Sequence, residues 1–158
     1  MREILGSGGA VALAAPWLFE RDTSAIVCNS DVIASPDYQA FLRAHRRLRD
    51  AHGVECTLAV VRNPDVGVKY TGLRREADLI TAFEKNGADP TLWHFPGFYV
   101  IEKSATARLP KTGASFGIVD ELWRALAREG KLGAWEYGGP YFDLGFVEDL
   151  RAAEAAMA

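Results

Sequence analysis

A chain of 158 residues, 49% hydrophobic and 25% charged with a formal net charge of -3, is long enough to bury one core and too apolar to stay disordered. With 21 acidic against 18 basic side chains it has no cationic surplus to neutralise a phosphate backbone, so nucleic acid is not an expected partner. The longest apolar run, Gly8 to Phe19, is interrupted by Pro16, too short to cross a bilayer and followed by no small-residue cleavage site, so a cytoplasmic protein with no membrane partner is expected.

In chain order, Leu5-Gly6-Ser7-Gly8-Gly9-Ala10 reads as a glycine loop feeding an Ala-rich helix. Such loops let a backbone approach a ligand and aim free N–H groups at an anion, and they also occur as plain tight turns. Ala25-Ile26-Val27-Cys28 is continuously apolar, the pattern of a strand buried on both faces, and it ends at Asn29-Ser30-Asp31. Ser35-Pro36-Asp37 supplies an N-cap with proline in the first helical position, and Phe41, Leu42, His45 and Leu48 then share one face of a helix that stops near Gly53. Thr57 to Val61 is a second buried strand, and short strand-like pieces surround Gly72 and Asp78. Phe95 to Ile101 returns as an apolar strand, and Ser115 to Gly130 reads as an amphipathic helix with Phe116, Val119, Leu122, Trp123 and Leu126 on one side. Leu132 to Tyr137, Tyr141 to Leu144 and an Ala-rich helix from Val147 complete the chain. Strands alternating with crossover-length helices predict an α/β fold with a mainly parallel sheet, organised as one domain over 1–158. Cys28 and Cys56 lie in apolar runs without Cys-x-x-Cys spacing and are expected as buried free thiols.

Asp31 stands just past an apolar strand, where ligands sit in parallel sheets. It either caps a turn there or ligates magnesium, which takes one or two carboxylates together with substrate phosphates. Asp143 is the matching second carboxylate, because a lone charge within Tyr141-Phe142-Asp143-Leu144-Gly145 is costly unless a cation pairs with it. Glu84 and Lys85, adjacent at a strand end, point in opposite directions and serve different partners unless both are simply solvated. Arg43, Arg46, Arg47 and Arg49 lie off the apolar helix face and read as solvated surface. His94, between Trp93 and Phe95, reads as structural, since no Ser or Cys stands in a nucleophile motif for it to activate.

Taken in order, Leu5-Gly6-Ser7-Gly8-Gly9-Ala10, Cys28-Asn29-Ser30-Asp31, Val66-Gly67-Val68, Phe83-Glu84-Lys85, Gly97-Phe98-Tyr99-Val100 and Phe142-Asp143-Leu144-Gly145 with Glu148-Asp149-Leu150 behind it resemble the sugar-1-phosphate nucleotidyltransferase family, the nucleoside-diphosphate-sugar pyrophosphorylases. The resemblance implies a three-layer Rossmann-like fold and transfer of a nucleotidyl group from a nucleoside triphosphate to a sugar-1-phosphate. It further implies that Gly6, Ser7 and Gly8 pack on the nucleotide, that Asp31 and Asp143 hold Mg²⁺ against the phosphates, that Gly67 and Glu84 contact the sugar, and that Lys85 grips the sugar phosphate. A glycosyltransferase of the related nucleotide-sugar fold is the weaker match, because Asn29-Ser30-Asp31 offers one carboxylate where those enzymes show an Asp-x-Asp pair.

The departures are specific. No Gly-x-Gly-Thr-Arg segment, the family's cationic triphosphate loop, occurs, so the chain resembles the last two-thirds of such an enzyme and its fold is expected to be N-terminally incomplete. Phe146-Val147 replaces a usual Thr-Pro, and Pro96 stands where a small polar residue is common. Missing strands would leave a sheet edge open to another copy or a partner chain. A non-catalytic binding or regulatory subunit of the same fold is therefore the alternative function. Should the chain turn over alone, Arg2, Lys69 and Lys111 are the cations expected to substitute for the loop.

Overall fold

The computed structural model describes residues 4–85, 87–110, 113, 115–145 and 147–157; Arg2, Lys111, Phe146 and the Glu148 side chain lie outside the described set. Helix α1 (Gly6–Leu18) carries no charged side chain; it buries Gly8, Gly9 and Val11 and leaves Leu13 and Trp17 exposed. Strand β1 (Ser24–Cys28) runs through a turn into β2 (Val32–Ala34). In α2 (Tyr38–His52) the N-cap is Asp37, whose Oδ1 accepts the Ala40 N–H at 2.9 Å, so Pro36 precedes the helix instead of opening it. Gly53, with φ 67°, ends α2 by donating its N–H to the Arg49 carbonyl at 2.8 Å.

Strand β3 (Cys56–Val60) leads to a hairpin of β4 (Gly72–Glu76) and β5 (Leu79–Glu84), which turns at Ala77 with φ 50° and carries an irregularity between Arg74 and Arg75. Strand β6 (Phe98–Glu102) runs directly into the short α3 (Lys103–Thr106). The helix expected over 115–130 starts late: residues 115–117 are not helical, a π-helical turn spans Val119–Trp123, and α4 (Arg124–Arg128) completes it. Strands β7 (Leu132–Glu136) and β8 (Tyr141–Asp143) and helix α5 (Val147–Met157) follow.

Six strands form one sheet in the order β1-β6-β3-β7-β5-β4, and β2 pairs with β8 in a separate two-stranded ribbon. The large sheet is mixed: β1, β3, β4 and β7 run one way and β6 and β5 the other, with β3–β7 the parallel pair. Every residue of β3 is buried because both faces are covered, which is why its sequence shows no polar alternation. Cys56, Leu58 and Val60 belong to the core shared with Val11 of α1 and Leu122, Trp123 and Leu126. Ala59 faces the other layer, where Phe41 of α2 stacks on Trp135 with ring centroids 4.6 Å apart. Side chains of this kind contribute about 1.5–3 kcal/mol each on full burial.

A polar network crosses the α2 side of the sheet. Glu102 Oε1 accepts from Ser24 Oγ at 2.7 Å, His45 Nε2 at 2.8 Å and Arg49 Nη1 at 3.4 Å. Since the carboxylate can only accept, neutral His45 donates from Nε2 and its Nδ1 accepts from Thr57 Oγ1 at 2.8 Å. Burial lowers the His45 pKa, which keeps the ring neutral. Arg49 thus departs from the solvated reading, whereas Arg43 and Arg47 are exposed as expected. Among the described residues β1 has a strand on one side only, and Cys28, at the end of this edge strand, is exposed instead of buried. Cys56 is buried and its thiol pKa is pushed well up, so it stays protonated.

Candidate functional site

The β2–β8 ribbon joins two distant parts of the chain. Val32 lies opposite Asp143, and the Leu144 N–H donates to the Asp31 carbonyl at 2.7 Å, so the backbones of Asp31 and Asp143 are one step apart across the ladder. In a regular ladder that diagonal would send the two carboxylates to opposite faces. Asp31, however, lies in the turn before β2, where strand alternation does not fix its direction. Gly97, with φ 108°, permits the close passage needed beside this turn: a Cβ there would stand 2.7 Å from Val32 Cγ2, and its carbonyl accepts the Asn29 N–H at 2.7 Å. Asp31 is exposed, whereas Asp143 is half-buried and its Oδ1 accepts the Gly145 N–H at 3.1 Å.

Asp143 lines a polar cleft of about 180 Å³ with Asn63, Asp65, Lys69, Tyr70, Tyr141 and Asp149. Tyr70 separates it from a second cleft of about 360 Å³ bordered by Leu73, Phe83, Phe95, Trp123 and Arg124. His94 lines the second cleft, its ring centroid 4.2 Å from that of Tyr70 and 5.8 Å from that of Tyr141. Burial pushes the His94 pKa down to about 4, against an opposing pull from Asp143, so its ring is neutral at physiological pH. Burial also raises the Tyr70 phenol, which lies between Lys69 and Asp143. The π-helical turn contributes Val119, Asp120 and Trp123 to the second cleft, and single π turns occur frequently at functional sites.

The sugar-side residues are arranged differently from the expected set. Glu84 is clamped by Arg74, whose Nη2 donates to Oε2 at 2.9 Å while its Nε donates to Oε1, and this pair lowers the carboxyl pKa. The residue directly opposite Glu84 is Gly72, not Gly67. Gly67, with φ 85°, lies in the turn between β3 and β4, where a Cβ would overlap the Gly87 carbonyl. Lys85 follows β5, is exposed and borders neither cleft.

Gly6, Ser7 and Gly8 also border neither cleft. They form the first turn of α1 instead of a preceding loop, and the residues around Phe116 close over them. The Phe116 carbonyl accepts the Gly8 N–H at 3.0 Å, Ser7 Oγ accepts the Ile118 N–H at 3.1 Å, and a Cβ on Gly8 would stand 2.5 Å from the Phe116 ring. A cavity of about 490 Å³ between α1 and α3 is lined by apolar groups such as Leu5, Leu13, Phe19 and Leu109 and holds none of the expected site residues.

Among the described residues no three His, Cys, Asp or Glu side chains converge to hold a metal. Two carboxylates with the remaining ligands drawn from phosphates and water suit Mg²⁺, so Asp31 and Asp143 fit that ion by donor type; Asp143 lines the polar cleft, whereas Asp31 borders neither cleft. Tyr70 and Asn63 are cleft-lining residues that sequence reasoning missed, and Gly72 is the residue it did not place opposite Glu84. For Gly72 a signal existed, since it opens the Gly-Leu-Arg-Arg-Glu strand that pairs with the strand ending at Glu84.

No family model matches the chain. It is 32% identical over 156 residues to a mannose-1-phosphate guanylyltransferase of Mycobacterium tuberculosis, a match covering 97% of this chain and 42% of the relative. It is 31% identical over 152 residues to the mannose-1-phosphate guanylyltransferase catalytic subunit beta of Xenopus tropicalis, covering 94% and 40%. The crystal structure of HddC from Yersinia pseudotuberculosis superposes with a TM-score of 0.76 at 22% identity, over 100% of this chain and 65% of that one, which establishes the common fold. The chain therefore spans about two-fifths of the length of the curated relatives it matches, and over that span it is similar in sequence to mannose-1-phosphate guanylyltransferases, members of the sugar-1-phosphate nucleotidyltransferase family.

Proposed function

We propose that this chain serves nucleotidyl transfer from a nucleoside triphosphate to a sugar-1-phosphate, of the mannose-1-phosphate guanylyltransferase kind, giving a nucleoside-diphosphate sugar and pyrophosphate. The carrying observation is the match to the Mycobacterium tuberculosis enzyme along 97% of this chain; the joining of Asp31 and Asp143 through the β2–β8 ribbon supports it. In this reading Asp31 and Asp143 hold Mg²⁺, which neutralises phosphate charge. Glu84, held by Arg74, accepts sugar hydroxyls, and Lys85 meets the sugar phosphate. Gly72 takes the sugar-facing place first given to Gly67, and Gly6, Ser7 and Gly8 approach the nucleotide. A sugar phosphate oxygen attacks the α-phosphorus in line, and positioning with charge neutralisation suffices without a covalent intermediate.

The triphosphate-gripping loop of the family has no counterpart in this sequence. Loss of one such charge-stabilising element costs on the order of a hundredfold or more in rate. Incubated alone with Mg²⁺, mannose 1-phosphate and GTP, this polypeptide is expected to release little pyrophosphate. Adding a family N-terminal segment, fused or as a separate chain, should restore release that depends on Asp31 and Asp143. Failure of every such combination to bind GDP-mannose would overturn the reading.

A second reading, a binding or regulatory subunit of the same fold, draws on the open edge of β1 and the apolar outer side of α1, where Leu13 and Trp17 are 58% and 66% exposed. Binding of GDP-mannose without recoverable turnover would favour it.

A further inference from the structure

A buried polar side chain ordinarily finds a hydrogen-bond partner, and His94 does not. It is 6% exposed, and its backbone is fixed by a reciprocal pair of bonds with Val61, N–H to carbonyl at 2.9 Å in each direction. Among the described residues neither ring nitrogen has a hydrogen-bond partner, and neither is sealed from solvent as Trp123 Nε1 is. The nitrogens therefore open onto the cleft of about 360 Å³ that His94 lines. Packing against Tyr70 and Tyr141 uses the faces of the ring and leaves this polar edge idle.

The rest of the cleft is apolar or already engaged. Leu73, Phe83, Phe95, Val119 and Trp123 form its walls, with Trp123 nearly parallel to Phe83 at 6.5 Å between centroids and edge-on to Phe95 at 5.0 Å. The Tyr70 hydroxyl bonds to Lys69 and Asp143 of the polar cleft, so Tyr70 gives the second cleft its ring. At the rim Arg124 and Asp120 pair with each other at 2.9 Å, and half-buried Thr71 adds one hydroxyl. Apolar walls with one or two placed polar groups suit a small uncharged group, oriented by those few hydrogen bonds.

Tyr70 is common to both clefts. A sugar phosphate whose phosphate lies with the metal beside Asp143 passes the remote edge of its ring, C4 and C5 with the C6 substituent, beyond Tyr70 into the second cleft. A neutral imidazole offers one donor and one acceptor, enough for a single hydroxyl such as that on C4. A hydroxyl on C6 meets the aromatic wall, where burial without a partner is unfavourable and burial of a methyl group is favourable. We propose that His94 is a specificity-determining residue that reads the C4 hydroxyl of a sugar carrying a methyl group at C6, which makes the substrate class a 6-deoxyhexose 1-phosphate. The inference rests on the functional reading above and departs from the structural role expected of His94.

Calorimetric titration with GDP-mannose and with GDP-6-deoxymannose, which differ by the C6 hydroxyl alone, tests it in the presence of Mg²⁺ on the unmodified chain, His94→Phe, His94→Gln and Val119→Thr. GDP-6-deoxymannose should bind about tenfold tighter than GDP-mannose. His94→Phe should weaken both by about tenfold, whereas His94→Gln, which restores a donor and an acceptor, should stay within about threefold. Val119→Thr keeps the shape of the wall, adds a hydroxyl to it and should narrow the preference. The imidazole nitrogen-15 signals of His94 should also move when either nucleotide sugar is added, a response that a purely structural ring lacks. Equal or tighter binding of GDP-mannose, binding that leaves the His94 signals unmoved, or binding indifferent to His94→Phe overturns the inference and leaves the functional reading intact. Binding of neither nucleotide sugar, by the chain alone or supplied with the family N-terminal segment, overturns both.

Discussion

Replacing His94 with Phe should flatten the acid limb of the stability profile. The ring is buried between Tyr70 and Tyr141, and its pKa falls from the ordinary 6.5 to about 4, chiefly because burial disfavours the imidazolium. As pH drops, the unfolded chain takes up this proton before the folded one does. The contribution of neutral His94 is therefore complete above pH 6.5 and is lost progressively as pH falls through about 4. The whole displacement is worth about 3 kcal/mol, of which about 2 kcal/mol is lost by pH 5. Phe keeps the stacking and removes the titration. Urea unfolding of both proteins at pH 7.5 and pH 5 gives the comparison directly, and contributions from His45 and the carboxylates, common to both, cancel in the difference. His94→Phe should keep about 2 kcal/mol more of its neutral-pH stability at pH 5. An equal loss in the two proteins would show that His94 is protonated in the fold and that the cleft wall is wet.

His45→Leu removes the donor to Glu102 and the acceptor for Thr57 in a buried network, and should cost about 2–4 kcal/mol in urea unfolding; a loss under about 1 kcal/mol would mean that water replaces the ring. Gly67→Ala sets a methyl group onto the Gly87 carbonyl at a φ of 85° and should destabilise by about 2–4 kcal/mol, measured by urea denaturation; an unchanged midpoint would mean the turn is free to shift. Arg74→Ala frees both oxygens of Glu84 and should lower affinity for mannose 1-phosphate with little change in melting temperature, since the pair is solvent-accessible; full affinity would show that Glu84 needs no clamp or makes no sugar contact.

The layers were legible where local pattern and tertiary environment agree. β3 reads as a buried strand because nothing polar interrupts it and both its faces are covered. The helix of Phe41, His45 and Leu48 reads from spacing alone, although Asp37 displaced Ser35 as its cap because the side chain nearer the first free amide wins the bond. The hairpin of β4 and β5 was visible only as fragments, since Arg74, Arg75 and Glu76 interrupt its apolar pattern; Arg74 pairs with Glu84 across the hairpin and Arg75 with Glu136 of β7, pairings that local sequence does not display. Residues 115–117 broke from the expected helix because Phe116 bonds back to Leu5 and Gly8, a contact more than 100 positions distant in sequence.

For the site, composition pointed to Asp31 and Asp143 as unusual carboxylates, but only the β2–β8 register joins their backbones. Register also sets Gly72, five positions from the Gly67 that the resemblance supplied, opposite Glu84. Neither residue type nor spacing could show that Glu84 is held by Arg74 or that His94 sits between two tyrosines.

Paramagnetic broadening by Mn²⁺, in place of Mg²⁺, on isotopically labelled protein with GDP-mannose bound tests the central claim most directly. With Asp31 and Asp143 as the metal-binding pair, amide signals at 30–32 and 143–145 should broaden first and those of 63–70 next, and Asp143→Asn should abolish the effect. Broadening centred on the cavity between α1 and α3, or a pattern unchanged by Asp143→Asn, would contradict it.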